Sequence, residues 1–492
     1  MAETKATMPL KSNPVKKENI KYVIHCTVMM VLIFGGWFVP AGETITAMGM
    51  RVIGVFMGLM YGWIFIDLIW PSIVGLIALG LSGYSPMKGV FQEAFGGEIV
   101  VLILFFSVFT AFLDRSGLSS SFANWFLKRK VLKGRPWLFI SMILFVSYVM
   151  GILVSIYATI FILWNVLYKV FKALGYGKKD KFASFLLIGV AYISALGMAS
   201  KPFSAWSLVG LKLLTKSLGI SVDFLSFTLF MAVISFVSAA LFVLFGKYIL
   251  KVDVQGYLDG NFEQVLGTIH YDREQKIATV LLVGLLLALY LPSALPKEWM
   301  FTQILSNLDI LGCISVVIII MLALKSGGKG LASFVPLAKE GVPWPMIFLI
   351  AVTVPLGTAV MKDEAGVMAA ILQTVTPMLK GVSPLMFYII IALVFGVTTQ
   401  FLHNLVLLMV FVPLLTTIAV SIGASPIITT LLGILILTSA LATPGASSRA
   451  GLVFGNSEWI ETKQAYIQGI ASIICVLIAA IVIGIPLGMM LF

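Results

Sequence analysis

Apolar runs follow one another along the whole chain, and most are long enough to cross a bilayer. A spanning helix needs about 20 predominantly apolar residues, within a range of about 17–25. On that measure we place eleven spans at 22–40, 46–66, 69–83, 98–114, 182–215, 223–247, 276–293, 307–323, 344–360, 426–455 and 465–490. Of the 492 residues 60% are hydrophobic and 11% charged, whereas a soluble domain carries roughly 25% charged residues. Such a chain cannot shield its apolar surface from water, so lipid is its solvent. The run 22–40 is too long for a signal-peptide core and reads as the first span.

Two apolar stretches remain, 137–168 and 383–415, each interrupted near its middle. Halved, each piece has about 15 residues and reaches about 22 Å, short of a hydrocarbon core of about 30 Å. Both therefore read as re-entrant hairpins, which membranes tolerate where protein or a water-filled cavity surrounds the backbone. Charge supports this layout. With the N-terminus inside, the cytoplasmic segments carry 24 Lys and Arg and the external ones seven, as the positive-inside rule requires. The expected location is the cytoplasmic (inner) membrane, with the C-terminus outside. The net charge of +12 belongs to this bias and does not call for nucleic acid.

The chain also repeats itself. VLILFFSVFTAFLDRSGL (101–118) resembles PMIFLIAVTVPLGTAVMKDEAGV (345–367), which aligns Asp114 with Asp363. A hairpin centre follows each, near Ser155 and His403. Then comes a long helix with Ser-Ala-Leu (194–196 and 439–441), ending in a polar, proline-containing break at 199–207 and 442–451. The hairpins enter from opposite sides, so the repeat is inverted, the usual architecture of alternating-access transporters. The expected fold class is an all-α polytopic membrane protein of about eleven transmembrane helices plus two re-entrant hairpins in an inverted repeat, with scaffold and transport domains. A cytoplasmic tail (1–21) would precede scaffold helices (22–97), the transport part of repeat 1 (98–222), further scaffold helices (223–343) and the transport part of repeat 2 with the last helix (344–492).

The breaks carry the chemistry. Pro202 and Pro444, the latter followed by Gly445, remove a backbone donor and interrupt the helix ladder. The half-helix that restarts presents a positive dipole end, suited to an anion. Lys201 and Arg449 add a cation at each break. A charge at membrane depth costs roughly 2.5–3.5 kcal/mol on insertion scales and is normally kept for a partner, ligand or pathway. No acid within the membrane lies near either in sequence. The candidate substrate-binding residues are Ser155 and Thr159 at the first hairpin, Ser200 and Lys201 at the first break, Thr399, His403 and Asn404 at the second hairpin, and Thr443, Ser447 and Arg449 at the second break. Each alternative is structural: a kink, a cation that snorkels or finds a distant acid partner, or hydroxyls that glue helices together.

Nothing indicates an enzyme or a nucleotide-driven pump. No phosphate-binding glycine loop with its lysine is present. His25, His270 and His403 lack metal-ligand spacing, and Cys26, Cys313 and Cys475 sit in apolar runs. The expected partners are a small organic anion and the lipid bilayer. An anion channel is the competing class, favouring a continuous pore ring over paired broken helices.

At the tips and breaks the sequence resembles the divalent-anion:sodium symporter (DASS) family of the ion-transporter superfamily, over roughly residues 22–490. That family carries a Ser-Asn-Thr motif followed by Ala-Thr at each tip. Here the first tip reads Ser155-Ile156-Tyr157-Ala158-Thr159, and the second, His403-Asn404-Leu405, keeps Asn404 of the triplet and the later Pro413. The family's Thr-Pro-Pro-Asn break resembles Thr443-Pro444-Gly445-Ala446. The resemblance implies a homodimer, an elevator-type motion, and di- or tricarboxylates or sulfate as substrates. A bound sodium ion is the one cofactor it implies, yet this chain departs from the family on the triplets that hold sodium. The function read from the sequence is thus secondary transport of small organic anions, by sodium-independent exchange or by sodium-coupled symport of a dicarboxylate or sulfate.

Overall fold

The structure is a computed structural model that describes residues 14–118, 121, 134–259, 272–326, 329–378, 381–402 and 404–492. The tail up to residue 13, most of the basic tract 128–135, His270, Lys380 and the candidate His403 lie outside the described residues.

The chain folds into helices, in the order α1 (Pro14–Gly35), α2 (Ala47–Phe65), α3 (Trp70–Leu81), α4 (Met87–Phe95), α5 (Glu98–Arg115), α6 (Pro136–Leu153), α7 (Ile156–Ala173), α8 (Lys181–Ser200), α9 (Ala205–Leu218), α10 (Phe224–Leu244) and α11 (Gln255–Asp259). The second half has α12 (Arg273–Ala294), α13 (Met300–Ala323), α14 (Phe334–Gly341), α15 (Trp344–Met361), α16 (Val367–Met378), α17 (Pro384–Thr398), α18 (Asn404–Ser421), α19 (Pro426–Thr438), α20 (Ser448–Gly455), α21 (Thr462–Ala479) and α22 (Ile485–Leu491). Among the described residues ten helical segments are long and apolar enough to cross a membrane, and the protein is a multi-pass membrane protein.

Three details depart from the sequence reading. Helix α3 has 12 residues, about 18 Å at 1.5 Å per residue, too short for the span expected at 69–83. Helix α13 begins at Met300 instead of 307 and is interrupted at Asp309, whose φ of 50° is unusual for a side-chain-bearing residue. The hairpin limbs α6, α7 and α18 have 18 residues each and α17 has 15. Most are therefore longer than the halves counted in the sequence, and length alone does not separate a hairpin from two crossings. The tightness of the turn is informative: only Val154 and Ser155 separate α6 from α7.

By packing the chain divides into two units: one holds the helices up to Phe95 together with Trp344–Ile371, the other holds Gly96–Pro343 and Leu372–Phe492. The expected transport part 344–492 is thus split between packing units. In the first unit, close approach of α1 and α2 depends on glycine. A Cβ on Gly58 would fall 2.3 Å from the Ile33 side chain, and one on Gly62 2.6 Å from the Met29 sulfur. Small residues let backbones come this close where lipid supplies no hydrophobic drive.

In the second unit α8 is the central element, buried along nearly its whole length. It runs alongside α6 in the same direction: Gly189 lies against Leu144, and Gly151 and Gly197 lie against the backbone of Ser194 and Tyr148. The end of α6 and the hairpin turn therefore arrive level with the end of α8. The second repeat does the same, for α17 accompanies α19, with Phe395 against Gly433 and Thr399 hydrogen-bonded to the Leu437 carbonyl. The two broken helices oppose each other. Ser184 meets Trp459, Ala191 meets Arg449, and Gly210 backs onto Ile434 and Thr430. As the first broken helix advances, its contacts on the second run backwards.

Candidate functional site at the two helix breaks

The first break begins where α8 stops at Ser200. Lys201 is its C-cap residue with extended ψ of 110°, and Pro202 supplies no N–H to continue the ladder. The chain restarts at Ser204, whose hydroxyl accepts the Ser207 N–H at 3.1 Å as the N-cap of α9. Lys201 is only 8% exposed, and its Nζ lies 5.7 Å from the centroid of the Phe203 ring. Its electrostatic partner is Asp114, at the C-terminal end of α5. The Ser155 hydroxyl and N–H also lie within electrostatic reach of the Asp114 carboxylate. One of its oxygens, Oδ1, is buried without a hydrogen-bond partner.

Asp114 is an acid distant in sequence, the structural alternative for Lys201. The sequence reading set Asp114 at a span end, away from the break; folding brings α5, the first hairpin turn and the first break together. Ser155 has a second task, accepting the Ala158 N–H at 3.1 Å to cap α7. Thr159 is fully buried and donates to the Ser155 carbonyl at 2.9 Å. Ser200 donates to the Leu196 carbonyl at 2.9 Å and lies 3.3 Å from Ser235 of α10.

The second break runs from Ser439 to Ser447. Ser447 caps α20, accepting the Ala450 N–H at 3.1 Å and donating to the Ala440 carbonyl at 2.9 Å. Arg449 is 4% exposed. Its guanidinium donates to the Ala191 carbonyl of α8 at 3.4 Å and to the Thr438 carbonyl at the end of α19. A helix C-terminus leaves carbonyls unsatisfied and carries negative dipole charge, so Arg449 answers both needs. The second hairpin turn docks on this break through Gln400. Its Oε1 accepts the Ala442 N–H at 2.9 Å, and its backbone carbonyl accepts the Thr443 hydroxyl. Asn404 is 3% exposed, and its Oδ1 has no partner among the described residues. Pro444 and Gly445 are exposed.

The sequence-expected residues thus fall into two clusters, one per break. Ser155, Ser200 and Lys201 gather with Asp114; Thr399, Thr443, Ser447 and Arg449 gather with Gln400. Arg449 ties the clusters together, since it bonds to α8 and lies within electrostatic reach of Tyr157 in the first turn of α7. The sequence missed Asp114 and Gln400 as site residues. Asp114 had a signal, its alignment with Asp363 across the repeat; Gln400 had only its place at the turn. Among the described residues no group of three His, Cys, Asp or Glu is placed to hold a metal.

Opposed broken helices, each met by a hairpin turn, with hydroxyls and a buried cation at each break, define the class: a membrane secondary transporter for anions. Residues 56–432 match the citrate transporter family (CitMHS), and the chain belongs to that family. No curated protein matches the sequence. Solved structures share the fold, two transporters among them. The YdaH transporter of Alcanivorax borkumensis, described as having an unusual topology, superposes with a TM-score of 0.58 at 12% identity, covering 95% of this chain and 98% of that one. MtrF of Neisseria gonorrhoeae, described as illuminating a class of antimetabolite efflux pumps, gives 0.55 at 14% identity, covering 94% of each chain. The family and both neighbours are transporters, and the protein is a transporter, not an enzyme.

Proposed function

We propose that the protein carries small di- or tricarboxylates across the cytoplasmic membrane by an elevator-type alternating-access movement. The observation that carries this reading is the pair of buried cations, Lys201 and Arg449, one at each break of two antiparallel broken helices. A multiply charged carboxylate needs separated positive groups and free N–H donors, and the restarting half-helices capped by Ser204 and Ser447 offer the donors. Ser155, Thr159, Ser200, Thr399, His403, Asn404 and Thr443 complete the proposed site. The mobile part would be the hairpins with the broken helices, the remaining helices the scaffold, and the working unit a homodimer.

Fixed cations in place of bound sodium would let the carrier load without sodium and would favour exchange, because an empty carrier with unbalanced charge crosses a low-dielectric barrier at high cost. Asp114 weakens half of that argument, since its charge opposes that of Lys201 in the empty state. Arg449 keeps its charge, with carbonyls as partners. A second reading, sodium-coupled dicarboxylate or sulfate symport, has one observation in its favour. Asp114 Oδ1 and Asn404 Oδ1 are buried oxygens without hydrogen-bond partners among the described residues, one beside each hairpin turn, and hard cations take oxygen ligands.

Counterflow of labelled citrate and succinate in proteoliposomes tests both. Uptake that persists when choline replaces sodium and depends on internal anion supports exchange. Strict sodium dependence supports the second reading, and no uptake of any carboxylate removes the substrate proposal.

A further inference from the structure

Helices α12 and α13 form an antiparallel pair, and an open groove of about 540 Å³ runs along it. Its lining is apolar, including Val280, Leu281, Ala288, Val317 and Ile320, except at one end, where Lys276 enters it beside Leu324. Along α12 the lining runs from Lys276 to Ala288, about 18 Å, and along α13 from Leu305 to Leu324, about 28 Å, at 1.5 Å per residue, so the groove is long enough for an extended acyl chain. Gly284 keeps the middle open, since a Cβ there would meet nothing within 4 Å. Arg273, one turn before Lys276, and Lys325, just past the end of α13, are exposed at the same end. Helix α12 is also the least buried of the ten candidate spans.

We propose that this groove binds one acyl chain of an anionic phospholipid, with Lys276 and Lys325 holding the phosphate. Two features favour a lipid over a second copy of the chain. Charge is confined to one end, as in a lipid. The charge asymmetry of the loops puts that end on the cytoplasmic side, where anionic headgroups attract basic residues.

The test is native mass spectrometry of the full-length protein after exchange into detergent with phosphatidylglycerol or phosphatidylcholine of equal chain length. The wild type retains phosphatidylglycerol in preference to phosphatidylcholine. Lys276→Gln and Lys325→Gln each lower that retention about fivefold, the effect of one basic residue near an anionic surface. Gly284→Leu fills the groove and abolishes it. Equal retention of the two lipids would overturn the proposal, as would unchanged retention in the double lysine variant. So would a cross-link from position 284 to a second copy. The lysine variants decide the matter even if Gly284→Leu misfolds, because both side chains are exposed.

Discussion

Asp114, at the end of α5, is the acid within electrostatic reach of Lys201 at the first helix break. The two belong to elements that the sequence separates with a hairpin and most of another helix. Removing one of two buried opposite charges leaves the other less compensated, whereas removing both is less costly. Asp114→Asn and Lys201→Gln should therefore each lower the melting temperature in detergent strongly, and the double variant should recover much of the loss. All three should fail to transport. A double variant no more stable than the singles would show that the pair is not coupled.

Arg449 makes two separate contacts from one planar group, and a lysine ammonium cannot reproduce that geometry. Arg449→Lys retains the charge yet should lose at least about tenfold in transport, since a lost charge-assisted hydrogen bond is worth about 1.5–3 kcal/mol. Arg449→Gln should lose more. Initial uptake rates, normalised to reconstituted protein, measure this; wild-type rates in Arg449→Lys would mean that charge alone matters.

Gly197 sits where a Cβ would fall 2.1 Å from the Tyr148 carbonyl oxygen. Gly197→Ala must push α6 from α8 and should cost about 1–3 kcal/mol, the usual range for overpacking. Gly455→Ala meets nothing within 4 Å and serves as the control. Thermal melts of the two variants should differ clearly.

Lys178 and Glu458 are 2.5 Å apart and exposed, joining the loop before α8 to the loop after α20. The Lys178 hydrogen bond and charge hold the Glu458 carboxyl below its ordinary range. A depressed pKa contributes stability above the unfolded value, about 4.3 for Glu, and that contribution disappears as pH falls through the folded value. Glu458→Gln should be slightly less stable than wild type at pH 7, and the difference should vanish on acidification past that window. A difference that grows in acid would contradict the sign. The effect is small because exposed pairs contribute little.

Orientation can be read by labelling. In a background lacking Cys26, Cys313 and Cys475, a cysteine replacing Lys172 should resist a membrane-impermeant maleimide in intact cells, and one replacing Lys297 should react. The reverse pattern would invert the layout.

Composition and apolar period alone determined that this chain lives in lipid, because no other solvent accepts so much apolar surface. The internal repeat determined the breaks at Pro202 and Pro444, since proline ends the helix ladder in any surroundings, and α8–α9 and α19–α20 part there. Local rules stop at the partners of buried polar groups. Lys201 looked unpaired because its acid lies on α5, and Arg449 looked free for a ligand because carbonyls carry no sequence signal. The length of the hairpin limbs and the break of α13 at Asp309 likewise depended on packing. Only the tertiary structure brought Asp114, Ser155 and Lys201 together, because buried charges are satisfied through space, not along the chain.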